Sequence, residues 1–132
     1  MANYKIENQW GGSQAAWNAA GTWILGSRPA QYVTEIKISS KDGGKTFNGT
    51  MNYNGEGPIG FRAKHTSGNN YIVENQWGGA QAPWNPGGSW IIGDRDNQRV
   101  IDLSLKISSG KNLQGTMTYN NESPIGTKST II

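Results

Sequence analysis

The stretch ENQWGG occurs twice, at 7–12 and 74–79. In each copy a tryptophan, Trp10 or Trp77, is followed by two glycines, Gly11-Gly12 or Gly78-Gly79. The glycines let the chain turn tightly and leave backbone N–H groups open to a close ligand. A second duplicated set is polar. Arg28 follows WILGS and Arg95 follows WIIGD, while Glu56 lies in NGEGPIG and Glu122 in NNESPIG. A flat ring, a guanidinium, a carboxylate and bare amides together suit a pyranose. Its C–H face packs on an indole, and its hydroxyls accept from an arginine fork and donate to a carboxylate. Such a site is shallow, wet and individually weak. Two copies on one chain offset the weakness by avidity and allow crosslinking.

Each of these residues also has a plain structural reading. Trp10 and Trp77 could be lids over a barrel end, with the glycines as an ordinary turn. Trp17 and Trp84, in AAWN and APWN, could plug the interior or line a loop; Trp23 and Trp90, in TWILG and SWIIG, read as core. Exposed arginines and glutamates are usually solvated surface groups. Here the Arg and Glu recur in both copies, although most other charges do not, and they accompany a tryptophan.

Other chemistries fit less well. Glu56 and Glu122 as a glycosidase pair would have to lie about 5–10 Å apart in one cleft, whereas the duplication gives each site one copy. Glu7 and Glu74 read as strand residues making local hydrogen bonds. His65 is the single histidine and there is no cysteine, so neither a zinc site nor a repeated Ser–His–Asp set is expected. No calcium loop or phosphate-cradling loop is present, and no cofactor is expected. The net charge of +3 is scattered. A basic binder of single-stranded nucleic acid with exposed aromatics is therefore the weaker rival.

The elements that must position these residues come from a duplication. Tyr4–Val33 matches Tyr71–Val100 at a shift of 67, and after one residue is lost near Asp42–Gly44, Gly49–Gly60 matches Gly115–Gly126 at a shift of 66. The repeats span 1–67 and 68–132, joined by SGNN, and read as one pseudo-symmetric domain. The hydrophobic period is two. YVTEIKIS puts Tyr32, Thr34, Ile36 and Ile38 on one face, and RVIDLSLKI puts Ile101, Leu103, Leu105 and Ile107 on one face. Turn signals between these runs give five strands per repeat: 3–9, 22–26, 31–40, 45–53 and 59–65, then 70–76, 89–93, 98–108, 111–119 and 125–131. The fold class is all-β. Ten antiparallel strands close most economically into a barrel, which removes exposed edges, with a sandwich as the alternative. The 19 glycines and 34% hydrophobic content are unusual, and six tryptophans and five tyrosines supply much of the apolar mass. MANYKIENQW has no secretory apolar segment and no run is long enough for a membrane helix. The expectation is a cytoplasmic protein without membrane insertion.

ENQWGG, APWN, GGSWIIGDR and GEGPIGF together form a pattern that resembles the Oscillatoria agardhii agglutinin family of small bacterial and cyanobacterial lectins, over nearly the whole chain. The resemblance implies a compact ten-stranded antiparallel β-barrel made by both repeats. It implies metal-free binding of high-mannose N-glycans at the branched α1,3/α1,6 mannose core, no catalysis, and antiviral activity through envelope glycoproteins. It also implies a site at each end of the barrel that mixes the repeats. One site takes Trp10, Gly11 and Gly12 with Arg95, Glu122 and Ser123. The other takes Trp77, Gly78 and Gly79 with Arg28, Glu56 and Gly57. A monomer without a nucleic-acid partner is expected. The second copy departs from the pattern: Asn121, Ser123 and Thr127 stand where the first has Gly55, Gly57 and Phe61. A left-handed backbone at Ser123 would be strained, which predicts weaker binding at the Trp10/Glu122 end.

Overall fold

The computed structural model describes residues 2–9, 11–12, 14–25, 30–68, 70–79, 81–92 and 98–132. They form ten strands: β1 (Ala2–Gln9), β2 (Asn18–Leu25), β3 (Val33–Ser39), β4 (Thr46–Tyr53), β5 (Ile59–Ser67), β6 (Asn70–Gln76), β7 (Asn85–Ile92), β8 (Val100–Ser109), β9 (Asn112–Tyr119) and β10 (Ile125–Ile131). All neighbours are antiparallel, and the ring closes in the order β1-β10-β9-β8-β3-β4-β5-β6-β7-β2. This is the expected barrel and not a sandwich. Closure satisfies the edges that short, glycine-rich strands would otherwise expose.

The two repeats are interleaved. The β1–β2 hairpin leaves β3–β5 of its own repeat and lies between β10 and β7, while β6–β7 lies against β5. The seams β2–β7 and β3–β8 join equivalent strands of the two repeats. Trp23 and Trp90 face each other across the first seam, each 1% exposed and edge to face at 4.8 Å between ring centroids. Both are core residues, as expected. Tyr4, Phe47, Tyr53, Phe61, Tyr71 and Tyr119 join them in the interior, packed among aliphatic side chains such as Ile36, Met51, Leu103 and Met117.

The alternation expected in the third strand of each repeat is broken. Thr34 and Ile101 are extra residues at bulges, so Val33, Ile36 and Ile38 are buried in β3, and Val100, Leu103 and Leu105 in β8. Tyr32, Thr34 and Ile101 are only partly buried, and Ile107, at the barrel rim, is 37% exposed. A bulge shifts the pleat by one residue, which a strict period of two cannot anticipate. A similar irregularity, at Ile6/Glu7 and Val73/Glu74, lets β2 and β7 begin four residues before the expected Thr22 and Ser89. Two glycines admit no side chain at all. A Cβ at Gly49 would run into the Lys37 carbonyl oxygen, and one at Gly115 into that of Ser104.

Candidate carbohydrate-binding sites

Antiparallel order around a closed ring decides which loops share an end. The β1–β2 and β9–β10 connections and the start of β8 lie at one end; the β6–β7 and β4–β5 connections and the start of β3 lie at the other. Each WGG turn is therefore beside the glutamate loop of the opposite repeat. Gln76 pairs with Gly60, and Gln9 with Gly126. The structure so sets the Trp77-Gly78-Gly79 turn beside the loop of Glu56 and Gly57; a hollow of about 290 Å³ next to them is lined by Pro58, Ile59, Gly60, Gln76 and, of the expected site residues, Gly79. It brings Gly11 and Gly12 beside the loop of Glu122 and Ser123. Trp10, Arg28 and Arg95 lie outside the described residues.

The other letters of ENQWGG hold the turn in place. Glu74 forms an ion pair with Arg62 on β5 at 2.8 Å, and Glu7 with Lys128 on β10 at 3.9 Å. These are cross-strand contacts instead of the local ones expected. Asn75 and Asn8 are fully buried and donate to the hydroxyls of Tyr53 and Tyr119 at 3.3 and 3.2 Å. Gln76 and Gln9 reach forward and donate to the Ala82 and Ala15 carbonyls, both at 2.6 Å. The glycines then take φ of +105° and +107° at Gly11 and Gly12, and +107° and +106° at Gly78 and Gly79. A Cβ at Gly12 or Gly79 would meet nothing, so the requirement is backbone conformation and not space. Trp77, at the start of this turn, is 44% exposed. Of the two readings of Trp17 and Trp84, they line the loop and do not plug the barrel: each is half-buried at the loop's far end, under Lys128 at 4.4 Å and Arg62 at 4.1 Å.

The glutamate loops are also built alike. Glu56 N–H donates to the Tyr53 carbonyl at 3.1 Å and Glu122 N–H to that of Tyr119 at 3.2 Å. Gln31 Nε2 donates to Glu56 Oε2 at 3.0 Å and to the Asn54 carbonyl at 3.2 Å; Gln98 does the same to Glu122 and Asn120, at 2.9 and 3.3 Å. Sequence reasoning did not single out these glutamines. The signal was a glutamine kept two residues before Val33 and Val100 in both copies. The left-handed residue of each turn is Gly55 (φ +77°) or Asn121 (φ +65°), not Gly57 or Ser123. A Cβ at Gly57 would be in open space. The strain expected at Ser123 is thus absent. The loop moves it two residues back to an asparagine, the kind of side chain that tolerates this region best.

Glu56 and Glu122 stand at opposite ends of strands some eight residues long, roughly 20 Å apart along the barrel. That separation is incompatible with the glycosidase pairing. A closed barrel with a matched turn-and-carboxylate arrangement at each end is a binding module with two faces, not an enzyme cleft. The chain belongs to the OAA-family lectins: the model of the OAA-family lectin sugar binding domain matches residues 2–66 and again 69–132. It is 58% identical to the myxobacterial hemagglutinin of Myxococcus xanthus over 132 residues, 99% of this chain and 49% of that one. To the lectin OAA of Planktothrix agardhii it is 54% identical over 99% of this chain and all of the relative. The chain therefore spans about half the length of some relatives and the full length of another. The crystal structure of the Pseudomonas fluorescens agglutinin superposes with a TM-score of 0.86 at 60% identity, covering 99% of this chain and all of that one. That of the Myxococcus xanthus hemagglutinin in complex with α3,α6-mannopentaose superposes with a TM-score of 0.83 at 58% identity, covering 98% and 49%.

Proposed function

We propose that the chain is a bivalent lectin for high-mannose N-glycans, taking the branched α1,3/α1,6 mannose core at each end of the barrel without a metal. The observation that carries this is Trp77. It is 44% exposed on a left-handed double-glycine turn, while Trp23 and Trp90 are buried. A large apolar ring with this much exposed surface, beside a glycine turn and a carboxylate held by Gln31, is suited to stack on a sugar. Gly78 and Gly79 offer N–H groups, Glu56 accepts from hydroxyls, and Arg28 donates to them. Trp10, Gly11, Gly12, Arg95, Glu122 and Ser123 serve the other end. The mannopentaose bound by the Myxococcus xanthus relative supports the choice of glycan. Two sites facing opposite ways would let a monomer crosslink and agglutinate glycoproteins, viral envelope glycoproteins among them.

Calorimetry with α3,α6-mannopentaose tests the assignment. The wild type binds about two glycans per chain; Trp77→Ala and Trp10→Ala each leave one and abolish agglutination. Two intact sites in Trp77→Ala would refute the assignment. Binding that is nearly insensitive to salt separates this reading from nucleic-acid binding, whose affinity falls steeply with salt.

A further inference from the structure

Behind each WGG turn lies a ladder of three side chains. In one copy Arg62 Nε donates to Glu74 Oε1 at 2.8 Å while its guanidinium carbon lies 4.1 Å from the centre of the Trp84 ring. In the other, Lys128 Nζ is 3.9 Å from Glu7 Oε1 and 4.4 Å from the centre of the Trp17 ring. The two sets are equivalent in register, Arg62 opposite Glu74 and Lys128 opposite Glu7. The tryptophan closes the loop that WGG opens, and its ring edge presses on the neighbouring strand. It lies 3.5 Å from a Cβ built at Gly60 for Trp84, and 3.7 Å from one at Gly126 for Trp17.

The other ties of the loop are the same in both copies. Ala82 N–H donates to the Gly79 carbonyl and Ala15 N–H to that of Gly12, both at 3.0 Å. Asn85 and Asn18 both brace the loop from its far side, at 3.3 Å to the carbonyls of Pro83 and Ala16. What differs is the cation, along with Pro83, Pro86 and Gly87 in the one loop where Ala16, Ala19 and Ala20 stand in the other. A planar guanidinium donates to a carboxylate and stacks on a ring at once, in one geometry; an ammonium on a flexible stem is a point charge that fixes neither partner. Partly exposed pairs of this kind add little to stability. Their consequence is rotamer order in a loop that must be ordered to bind.

We propose that the Glu–cation–Trp ladder positions the WGG loop for its ligand, and that Arg62 against Lys128 makes the Trp77 end of the barrel the tighter one. The inference rests on the lectin reading. Arg62 and Lys128 are positioning residues: they act through Trp84 and Trp17 and not on the sugar.

Titration with α3,α6-mannopentaose, followed at the indole N–H signals of Trp77 and Trp10, reads the two ends separately. In the wild type the Trp77 end binds more tightly. Arg62→Lys weakens that end alone by about three- to tenfold, the cost of ordering one long side chain. Lys128→Arg tightens the Trp10 end alone by a similar factor, a gain that misfolding cannot mimic. The double exchange reverses the order of the two ends. Binding at both ends with an order that neither exchange moves would overturn the inference and leave the lectin reading standing. No binding at either end of the wild type would overturn both.

Discussion

The indole N–H groups of the two seam tryptophans meet different surroundings. Trp23 Nε1 donates to Ser129 Oγ at 2.6 Å, whereas the buried Trp90 Nε1 has no partner among the described residues. The position equivalent to Ser129 is Ala63, also fully buried. A hydroxyl there would complete a bond that the other repeat already makes. Ala63→Ser is expected to stabilise the fold by about 1 kcal/mol, and Ser129→Ala to destabilise it by about 1–3 kcal/mol by orphaning a buried donor. Urea unfolding of both variants checks the pair; opposite signs are the signature of a shared cause. Asn121 invites a similar comparison. Replacing it with the glycine found at the equivalent Gly55 removes a left-handed side chain (φ +65°) and is expected to gain up to about 1 kcal/mol in the same measurement.

Among the elements, the β3–β4 hairpin is tied by one carboxylate. Asp42 accepts from the Thr46 hydroxyl at 2.7 Å, the Thr46 N–H at 2.9 Å, the Ser40 hydroxyl at 2.8 Å and the Lys45 N–H at 3.1 Å. These bonds, that of the Thr46 hydroxyl first, hold its carboxyl well below the usual carboxylate range. A depressed folded value means the contribution is complete above the unfolded pKa, about 4, and is lost as the pH falls below it. The melting-temperature gap between the wild type and Asp42→Ala should therefore be constant from pH 7 to 5 and shrink towards pH 2. A gap that does not change with pH would show that the hairpin needs the shape of Asp42 and not its charge. The equivalent β8–β9 turn, Gly110-Lys111, is shorter and carries no aspartate, so its amides should exchange without this pH dependence.

For the whole molecule, interleaving has a consequence for folding. The β1–β2 hairpin pairs with β10 and β7, both from the second repeat. A chain of residues 1–67 alone would leave β1, β2, β3 and β5 with open edges. It is expected to form no folded monomer, and either stays unfolded or assembles in pairs that restore ten strands. Circular dichroism with sedimentation distinguishes these outcomes from a stable monomer, which would contradict the interleaved packing. The same interleaving puts the two matched turn-and-glutamate loops at opposite ends of the barrel, as the proposed crosslinking requires.

The duplication, the all-β class, the core role of Trp23 and Trp90 and most strand positions were legible because each is a local property. Alternation, turn residues and repeated strings need no partner to be recognised. The strand pairing of each WGG turn with the opposite repeat's glutamate loop followed from the family pattern and not from spacing. Spacing along the chain carries no information about which strands meet once a ring closes. The bulges at Thr34 and Ile101 were not legible either, since one unpaired residue leaves composition unchanged and reverses every face beyond it. Likewise, the role of Gln31 and Gln98 depends on a carboxylate more than twenty residues away. The sequence by itself determined what each half contains: a tryptophan on two glycines, a glutamate loop, an alternating set of strands. Only the tertiary structure decided which halves join, because closing the barrel satisfies every strand edge just when the first hairpin of each repeat is given to the other.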